Sequence, residues 1–379
     1  MSGLLVRHPV TGTGPFVVKI GSALLTEGAE GLAHDRLADW AGQLAQLREQ
    51  SVPVVVVSSG AVAEGCARLG LTARPRRLHR LQAAAAVGQV GLAEAYERSF
   101  SALGLRTAMV LLTHEDLASR ERYLNARSTL NTLLQMGVVP IINENDTVAT
   151  QEIRLGDNDT LAAMVANLVQ AQRLLILTDR DGIHQRDPAQ DPQAPVFDTL
   201  SLDDPALDAA IGPSRSAFGS GGMHTKVTAA RAAARSGAVT VIANGRAPSV
   251  IAQVAAGAPV GTWLADDKAA LAARKGWLLS QKHVDGTLTV DAGAARALAE
   301  QGVSLLPVGV TAVAGNFRRG DLVRIRSADG RDLAQGLINY ASEEAARLVG
   351  VASGDIAAVL GYTNEEEMVH RDNMALLPA

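Results

Sequence analysis

Short, almost continuously apolar runs alternate with alanine- and leucine-rich helical stretches through the first two-thirds of the chain, and this alternation restricts the fold more than any other feature. The strand candidates are Pro15–Ile20, Val52–Ser58, Thr107–Leu112, Val138–Asn143, Leu174–Thr178 and Val239–Ala243. Between them, Asp35–Glu49, Leu78–Leu103, Ser119–Met136, Thr160–Ala171 and His224–Ser236 carry helical patterns. A strand that is apolar on both sides must be covered on both sides, and the intervening helices supply that cover. The expected fold is α/β, an αβα sandwich with a mostly parallel central sheet. Ligands of such sheets bind beyond the carboxyl ends of the strands, so the turns that follow the strands are where chemistry is sought.

The rest of the chain reads differently. Asp181–Pro213 is rich in Asp, Pro and Gln and predicts a surface excursion, with the character of a lid. An Ala-rich helical linker is expected over Ala265–Arg274. Beyond it, Gly286–Val290, Val308–Val313, Leu322–Arg326 and Gln335–Ile338 read as short strands of a small β-rich domain. The expected division is 14–264 for the αβα domain, 265–280 for the linker and 281–379 for the β-rich domain, which suits a chain of 379 residues.

Composition narrows the function. Hydrophobic residues make up 47% of the chain and aromatic ones only 3%, so the core must be aliphatic. No apolar stretch approaches the length of a membrane span, and the first residues lack the pattern of a signal peptide. Cys66 is the one cysteine, which excludes a disulfide scaffold and a cysteine-based zinc site. A cytoplasmic protein with no membrane partner is expected. Net charge is −4; of 35 basic and 39 acidic residues, Gln281–Ala379 holds 9 and 13, so the β-rich domain is net acidic and no nucleic-acid partner is expected.

Only five of the 35 basic residues are lysines, and Lys19 and Lys226 both lie in glycine-bearing strand-end or helix-start turns. Val18-Lys19-Ile20-Gly21-Ser22 ends the first strand, and Val57-Ser58-Ser59-Gly60-Ala61 runs from the second into a helix. Asn143-Glu144-Asn145-Asp146 puts four polar residues where a buried strand surfaces. Gly156-Asp157-Asn158-Asp159 leads into a helix with more Asp and Asn than one cap requires, and the surplus suggests holding Mg²⁺-phosphate or orienting lysines. Thr178-Asp179 ends another strand, and Gly219-Ser220-Gly221-Gly222-Met223-His224-Thr225-Lys226 offers a phosphate backbone N–H groups, a helix dipole and a cation. It is not a Walker A loop, which places Gly directly before Lys. Each turn alone also admits the reading of an ordinary cap or loop; their order is the signal.

That order resembles the glutamate 5-kinases of the amino-acid kinase family, from about Phe16 to Leu377. The C-terminal section, with Gly286–Ala292, Ser304-Leu305-Leu306-Pro307 and Val369-His370-Arg371-Asp372-Asn373, resembles the PUA domain. The resemblance implies ATP-dependent phosphorylation of the γ-carboxylate of L-glutamate, the first step toward proline, with Mg²⁺ carried mainly by the ATP phosphates and no separate protein metal site. By motif position it implies Lys19, Lys226 and Asp159 as catalytic residues and Ser59, Asp146 and Asn158 as glutamate-binding residues. Lys19, Thr178, Asp179, Ser220, Gly221, Gly222, Met223, His224, Thr225 and Lys226 would bind ATP. His224 departs from the family, where a small hydroxyl residue is usual. Proline as feedback inhibitor and a homodimer or homotetramer are implied in the same way. The competing readings are another acceptor, uridylate or acetylglutamate, and an RNA-binding protein acting through the PUA-like domain.

Overall fold

A computed structural model describes residues 7–10, 14–26, 31–149, 158–188, 190, 191, 193–211, 222–265, 284–363 and 365–377. By contacts the chain forms two units, Met1–Glu115 with Thr129–Ala270, and Asp116–Ser128 with Leu271–Ala379. The linker expected over 265–280 falls, but for Ala265, outside the described residues.

In chain order the first stretch runs β1 Phe16–Ile20, α1 Ser22–Leu25, α2 His34–Glu49, β2 Val54–Ser58, α3 Ala61–Arg68, α4 Leu78–Ser101, β3 Thr107–Leu112, α5 His114–Ala118, α6 Arg120–Gln135 and β4 Val139–Glu144. It continues with α7 Asn158–Val169, β5 Arg173–Thr178, β6 Thr199–Ser201, α8 Pro205–Ile211, α9 Met223–Ala233, β7 Val239–Asn244, α10 Val250–Ala255 and β8 Thr262–Ala265. One sheet collects the strands in the order β3-β4-β2-β1-β5-β7-β8-β6. Every neighbouring pair is parallel except β7–β8, so the sandwich and its mostly parallel sheet are as expected.

Strands β1, β2, β4 and β5 are buried at every position. Alternate side chains serve the two faces. Phe16, Val18 and Ile20 join Leu37, Trp40 and Leu44 of α2, Leu92 and Tyr96 of α4, and Val250 and Ile251 of α10 in one core. Lys19 therefore points to the opposite face, where α7 packs on β1 and β5 and α9 packs on α7. The helices α3 and α4 cross in backbone contact. A Cβ on Gly65 would lie 1.7 Å from the Ala84 carbonyl oxygen, and one on Gly88 would lie 1.9 Å from that of Ala61.

The Asp181–Pro213 stretch is not only a surface excursion. Ile183, Ala194, Leu200, Leu202 and Leu207 are buried, and β6 extends the sheet along β8. The Thr262 hydroxyl ties it down, accepting from the Ile183 N–H (2.8 Å) and donating to the Phe197 carbonyl (2.6 Å). Three residues of strand in a run of Asp and Pro leave little periodicity to read.

At the other end of the sheet, residues 7–10 pack against β5 and β8. Arg173, the first residue of β5, is buried and stacks on the Trp263 indole, 4.5 Å from its centroid. Its guanidinium donates to the carbonyls of Val254 (2.8 Å) and His8 (2.7 Å). Arg7 sits 6.0 Å from the same ring and pairs with Asp198.

The second unit contains β9 Gly286–Val290, α11 Ala292–Gln301, β10 Val310–Gly315, β11 Leu322–Ser327, β12 Asp332–Leu337, α12 Ser342–Arg347, α13 Ile356–Leu360 and β13 Met374–Leu376. Its sheet has the order β10-β9-β11-β12-β13, with only β9–β11 parallel. Leu288, Val290, Phe317, Val323, Ile325 and Tyr340 fill its core, and Phe317 occupies the space a Gly286 side chain would need. Within this unit the buried Arg127 donates to Asn373 (2.6 Å), so the C-terminal His-Arg-Asp-Asn run includes a structural contact. Arg324 and Arg326 both bind Asp332 (3.0 and 2.7 Å), and Arg319 donates to Asn125 (2.5 Å). These arginines, with Arg319 also 3.8 Å from Glu365, are engaged by side chains of their own unit, which does not favour the RNA-binding reading.

Candidate active site

Parallel register aligns the carboxyl ends of β1, β2 and β5: Ile20 lies opposite both Ser58 and Leu177. The polar turns after these strands therefore gather along one edge of the sheet. Lys19 is the penultimate residue of β1 and reaches across the α7 face to Asp159, in the first turn of α7, with Nζ 2.6 Å from Oδ1. Lys226, in the first turn of α9, places its Nζ 3.0 Å from Asp159 Oδ2, to which the Thr225 hydroxyl also donates (2.8 Å). All three charged side chains are buried, with Asp159 at 0% exposure.

The electrostatics explain the arrangement. A helix N-terminus favours an anion and disfavours a cation, so Asp159 is well placed at the start of α7 while Lys226 is poorly placed at the start of α9. Asp159 offsets that penalty and the mutual repulsion of the lysines. Burial alone would raise its pKa, but Lys19, Lys226 and the Thr225 hydroxyl outweigh burial and hold it at about 2. The helix starts at Asn158 rather than at the expected Thr160, so Asn158 and Asp159 lie within the first turn and neither is a cap preceding it. The two companions Gly156 and Asp157 lie outside the described residues.

A second cluster adjoins the first through Asn158. Its amide nitrogen donates to the Ser58 carbonyl and to Asn143 Oδ1 (2.9 Å), with Ser59 Oγ at 3.2 Å. Asn143 Oδ1 also accepts the Glu144 N–H (2.9 Å), and its own amide nitrogen donates to Gln89 Oε1 on α4 (2.8 Å). The Ser58 hydroxyl meets the Tyr96 hydroxyl at 2.9 Å, fixing the end of β2. Gly60 then turns the chain into α3 with φ of 100°, a left-handed conformation that glycine adopts without strain.

Of the proposed acceptor residues, Ser59 and Asn158 are brought together. Among the described residues Asp146 makes no hydrogen bond to either; it sits half-buried near Glu144 and Arg74. Burial, then the Glu144 charge, push its carboxyl up to about 7 against the pull of Arg74. Glu144 is itself buried, with Oε1 3.5 Å from His114 Nδ1. On the nucleotide side, Thr178 ends β5 and donates to the exposed Asp179 (3.2 Å). Gly222 precedes α9, and a Cβ there would meet nothing within 4 Å among the described residues; Met223 is half-buried, and His224 is exposed on the first turn. Ser220 and Gly221 lie outside the described residues.

Residues 14–244 match the model of the amino acid kinase family, and residues 286–360 match that of the PUA domain. The chain is 55% identical over 372 residues to the glutamate 5-kinase of Ectopseudomonas mendocina, spanning 98% of this chain and 100% of that one. The chain belongs to the amino acid kinase family, in its glutamate 5-kinase branch. The glutamate 5-kinases of Methylococcus capsulatus (52% over 370 residues, 98% of this chain and 99% of that one) and Thioalkalivibrio sulfidiphilus (55% over 362 residues, 96% of each) are similar to it in the same way.

For this amino acid kinase chain, sequence reasoning passed over two elements of the site. Gln89 sits in an alanine-rich helix and carries no motif, so nothing in the sequence marks it. Asn143 opens the polar run at the end of β4, in which only Asp146 carries an expected role; the alternation of the strand, which puts Asn143 on the face of Val139 and Ile141 where α4 packs, is the available signal.

Proposed function

We propose that this chain transfers the γ-phosphoryl group of ATP to the γ-carboxylate of L-glutamate, forming γ-glutamyl phosphate and ADP, the first step of proline biosynthesis. The observation that carries the reading is the pair of buried lysines on opposite oxygens of Asp159. A carboxylate acceptor with a pKa near 4.3 is already ionised at pH 7, so the reaction asks for no general base. It asks for positioning and for positive charge around the transferring oxygens. Lys19 and Lys226 supply two compact charges, and Asp159 holds both at the strand ends until the phosphates arrive. An oxygen of the γ-carboxylate bonds to the γ-phosphorus while the bond to the β–γ bridging oxygen breaks, and no proton need move.

Ser59, Asn158 and Asp146 are proposed to hold glutamate. Thr178, Asp179 and the turn from Gly222 to Lys226 are proposed to hold ATP; a glycine at the start of α9 suits an approaching phosphate. Mg²⁺ is proposed to enter on the ATP phosphates, where it would neutralise part of their charge. Proline as feedback inhibitor, a homodimer or homotetramer and a cytoplasmic location are proposed with the same reading. No helix among the described residues is long and apolar enough to cross a membrane.

The test is ADP release from Mg-ATP with L-glutamate, aspartate, acetylglutamate and UMP in parallel, with hydroxylamine to trap the labile acyl phosphate as a hydroxamate. Turnover of glutamate alone, lost in Lys226→Ala, is expected. Turnover of another acceptor with glutamate silent overturns the acceptor assignment.

A further inference from the structure

The amide chain Gln89–Asn143–Asn158 has a direction. Asn143 receives two donors on its Oδ1, the Glu144 N–H and the Asn158 amide, and gives its own amide hydrogen to Gln89 Oε1. Turning the Asn143 amide over would set nitrogen against both donors and oxygen against Gln89 Oε1. Gln89 is held in its turn, because its Nε2 lies on Met109 Sδ at 3.1 Å. With Asn143 presenting oxygen, and the Ser58 carbonyl on the other side, both hydrogens of the Asn158 amide are spent inside the protein. Asn158 Oδ1 receives no hydrogen bond among the described residues. It is an acceptor set beside Asp159 and Ser59 and left for a ligand.

We propose that Gln89 is a positioning residue, which through Asn143 holds Asn158 with its oxygen toward the acceptor substrate, so that the site selects a ligand carrying a hydrogen-bond donor there, the α-ammonium of an amino acid. This rests on the assignment of glutamate as acceptor and adds the device that separates an amino dicarboxylate from a plain one. A buried polar group left unmatched penalises the analogue that lacks the donor, which is a stronger discriminator than shape.

The test uses the full chain and two ligands, L-glutamate as substrate and glutarate, the same dicarboxylate without the ammonium, as competitive inhibitor. Gln89→Met keeps the side-chain volume and removes the acceptor, so the fold is retained. The expected result is a rise of about tenfold in glutamate KM, with kcat and ATP KM within about twofold of wild type and the glutarate inhibition constant unchanged. Gln89→Glu restores the acceptor and returns glutamate KM to within about threefold. Asn143→Ala removes the same link one residue nearer and gives the same split between glutamate and glutarate. An unchanged glutamate KM in Gln89→Met, or a glutarate constant that rises by the same factor, overturns the proposal alone. Wild-type protein that does not turn over glutamate overturns it together with the function it rests on.

Discussion

Lys19 and Lys226 meet on one carboxylate: Asp159 gives Oδ1 to the first at 2.6 Å and Oδ2 to the second at 3.0 Å. Removing the carboxylate leaves two buried ammonium groups facing each other, and breaking a buried pair in this way costs about 3–5 kcal/mol. Asp159→Asn is therefore expected to lower the thermal midpoint as well as kcat. Because the Asp159 pKa lies below its usual value, its stabilising contribution is present above about pH 3.8 and is lost as pH falls through about 2. The variant's deficit in stability should shrink over that acid range. A deficit that is the same at pH 7 and at pH 2 would remove the ion-pair explanation.

In the proposed mechanism Lys19→Ala and Lys226→Ala take away charge aimed at the transferring phosphoryl group rather than at glutamate. A loss of one preorganised electrostatic contact of this kind costs about 10²–10³ in kcat. Glutamate KM is expected to stay within about threefold, since a group felt mainly in the transition state contributes little to ground-state binding. Steady-state kinetics at saturating ATP decide the matter. A normal kcat in either variant removes that lysine from the chemistry.

Asp146 titrates in the opposite sense. Its carboxyl is raised to about 7 by burial and by Glu144, so in the folded protein it takes up its proton where an exposed aspartate would have lost it. Only the ionised form attracts an ammonium, and glutamate KM should fall by about tenfold from pH 6 to pH 8 as the ionised fraction climbs. For stability the sign is reversed: the contribution is fully present below about pH 3.8 and is lost as pH rises through about 7. Asp146→Asn should bind glutamate weakly with a flat profile. A wild-type KM that does not change over this range would place Asp146 away from the ammonium.

The sheet was legible because burial on both sides leaves nearly unbroken runs such as Val54–Val57, which little else in a polar environment can imitate. The site was legible as an ordered series of turns, each ending one of those strands. Its connections were not. Lys19, Asp159 and Lys226 are far apart in the chain, and only the parallel register of β1 and β5, with α7 and α9 on one face, brings them together. Gln89 was hidden for a different reason: its role depends on which end of an amide faces a neighbour, and sequence carries no trace of that. The strands β6, β8 and β13 were missed because each has three or four residues, too few for a period to show.

The crossing of α3 and α4 predicts a way to damage the proposed acceptor site without touching it. A Cβ at residue 88 would sit 1.9 Å from the Ala61 carbonyl oxygen, and Ala61 is the first residue of α3, directly after Ser59 and Gly60. Backbone cannot yield as a side-chain tip can, so Gly88→Ala must push α3 and the turn before it. Glutamate KM is expected to rise about tenfold or more, with ATP KM much less affected, and stability to fall by about 1–3 kcal/mol. Equal changes in the two KM values would mean that the helix displacement spreads beyond the Ser59 turn.

The guanidinium–indole stack predicts the converse, stability lost with catalysis intact. Arg173 is buried with no carboxylate partner among the described residues, and burial lowers its pKa to about 10; two carbonyl acceptors and the face of Trp263 stand in for a counter-ion. Trp263 is the shared surface, flanked also by Arg7, so its loss removes packing and exposes the weakness of that buried cation at once. Trp263→Ala is expected to cost about 3–5 kcal/mol. Arg173 and Thr178 are the first and last residues of β5, about 17 Å apart along an extended strand, so the loss falls at the opposite end from the proposed nucleotide contacts. Thermal melts should show a large shift while kcat and both KM values at 25 °C stay near wild type. A kcat that falls with the midpoint would mean that strain at one end of β5 reaches the other, and that the strand is not the rigid spacer assumed here.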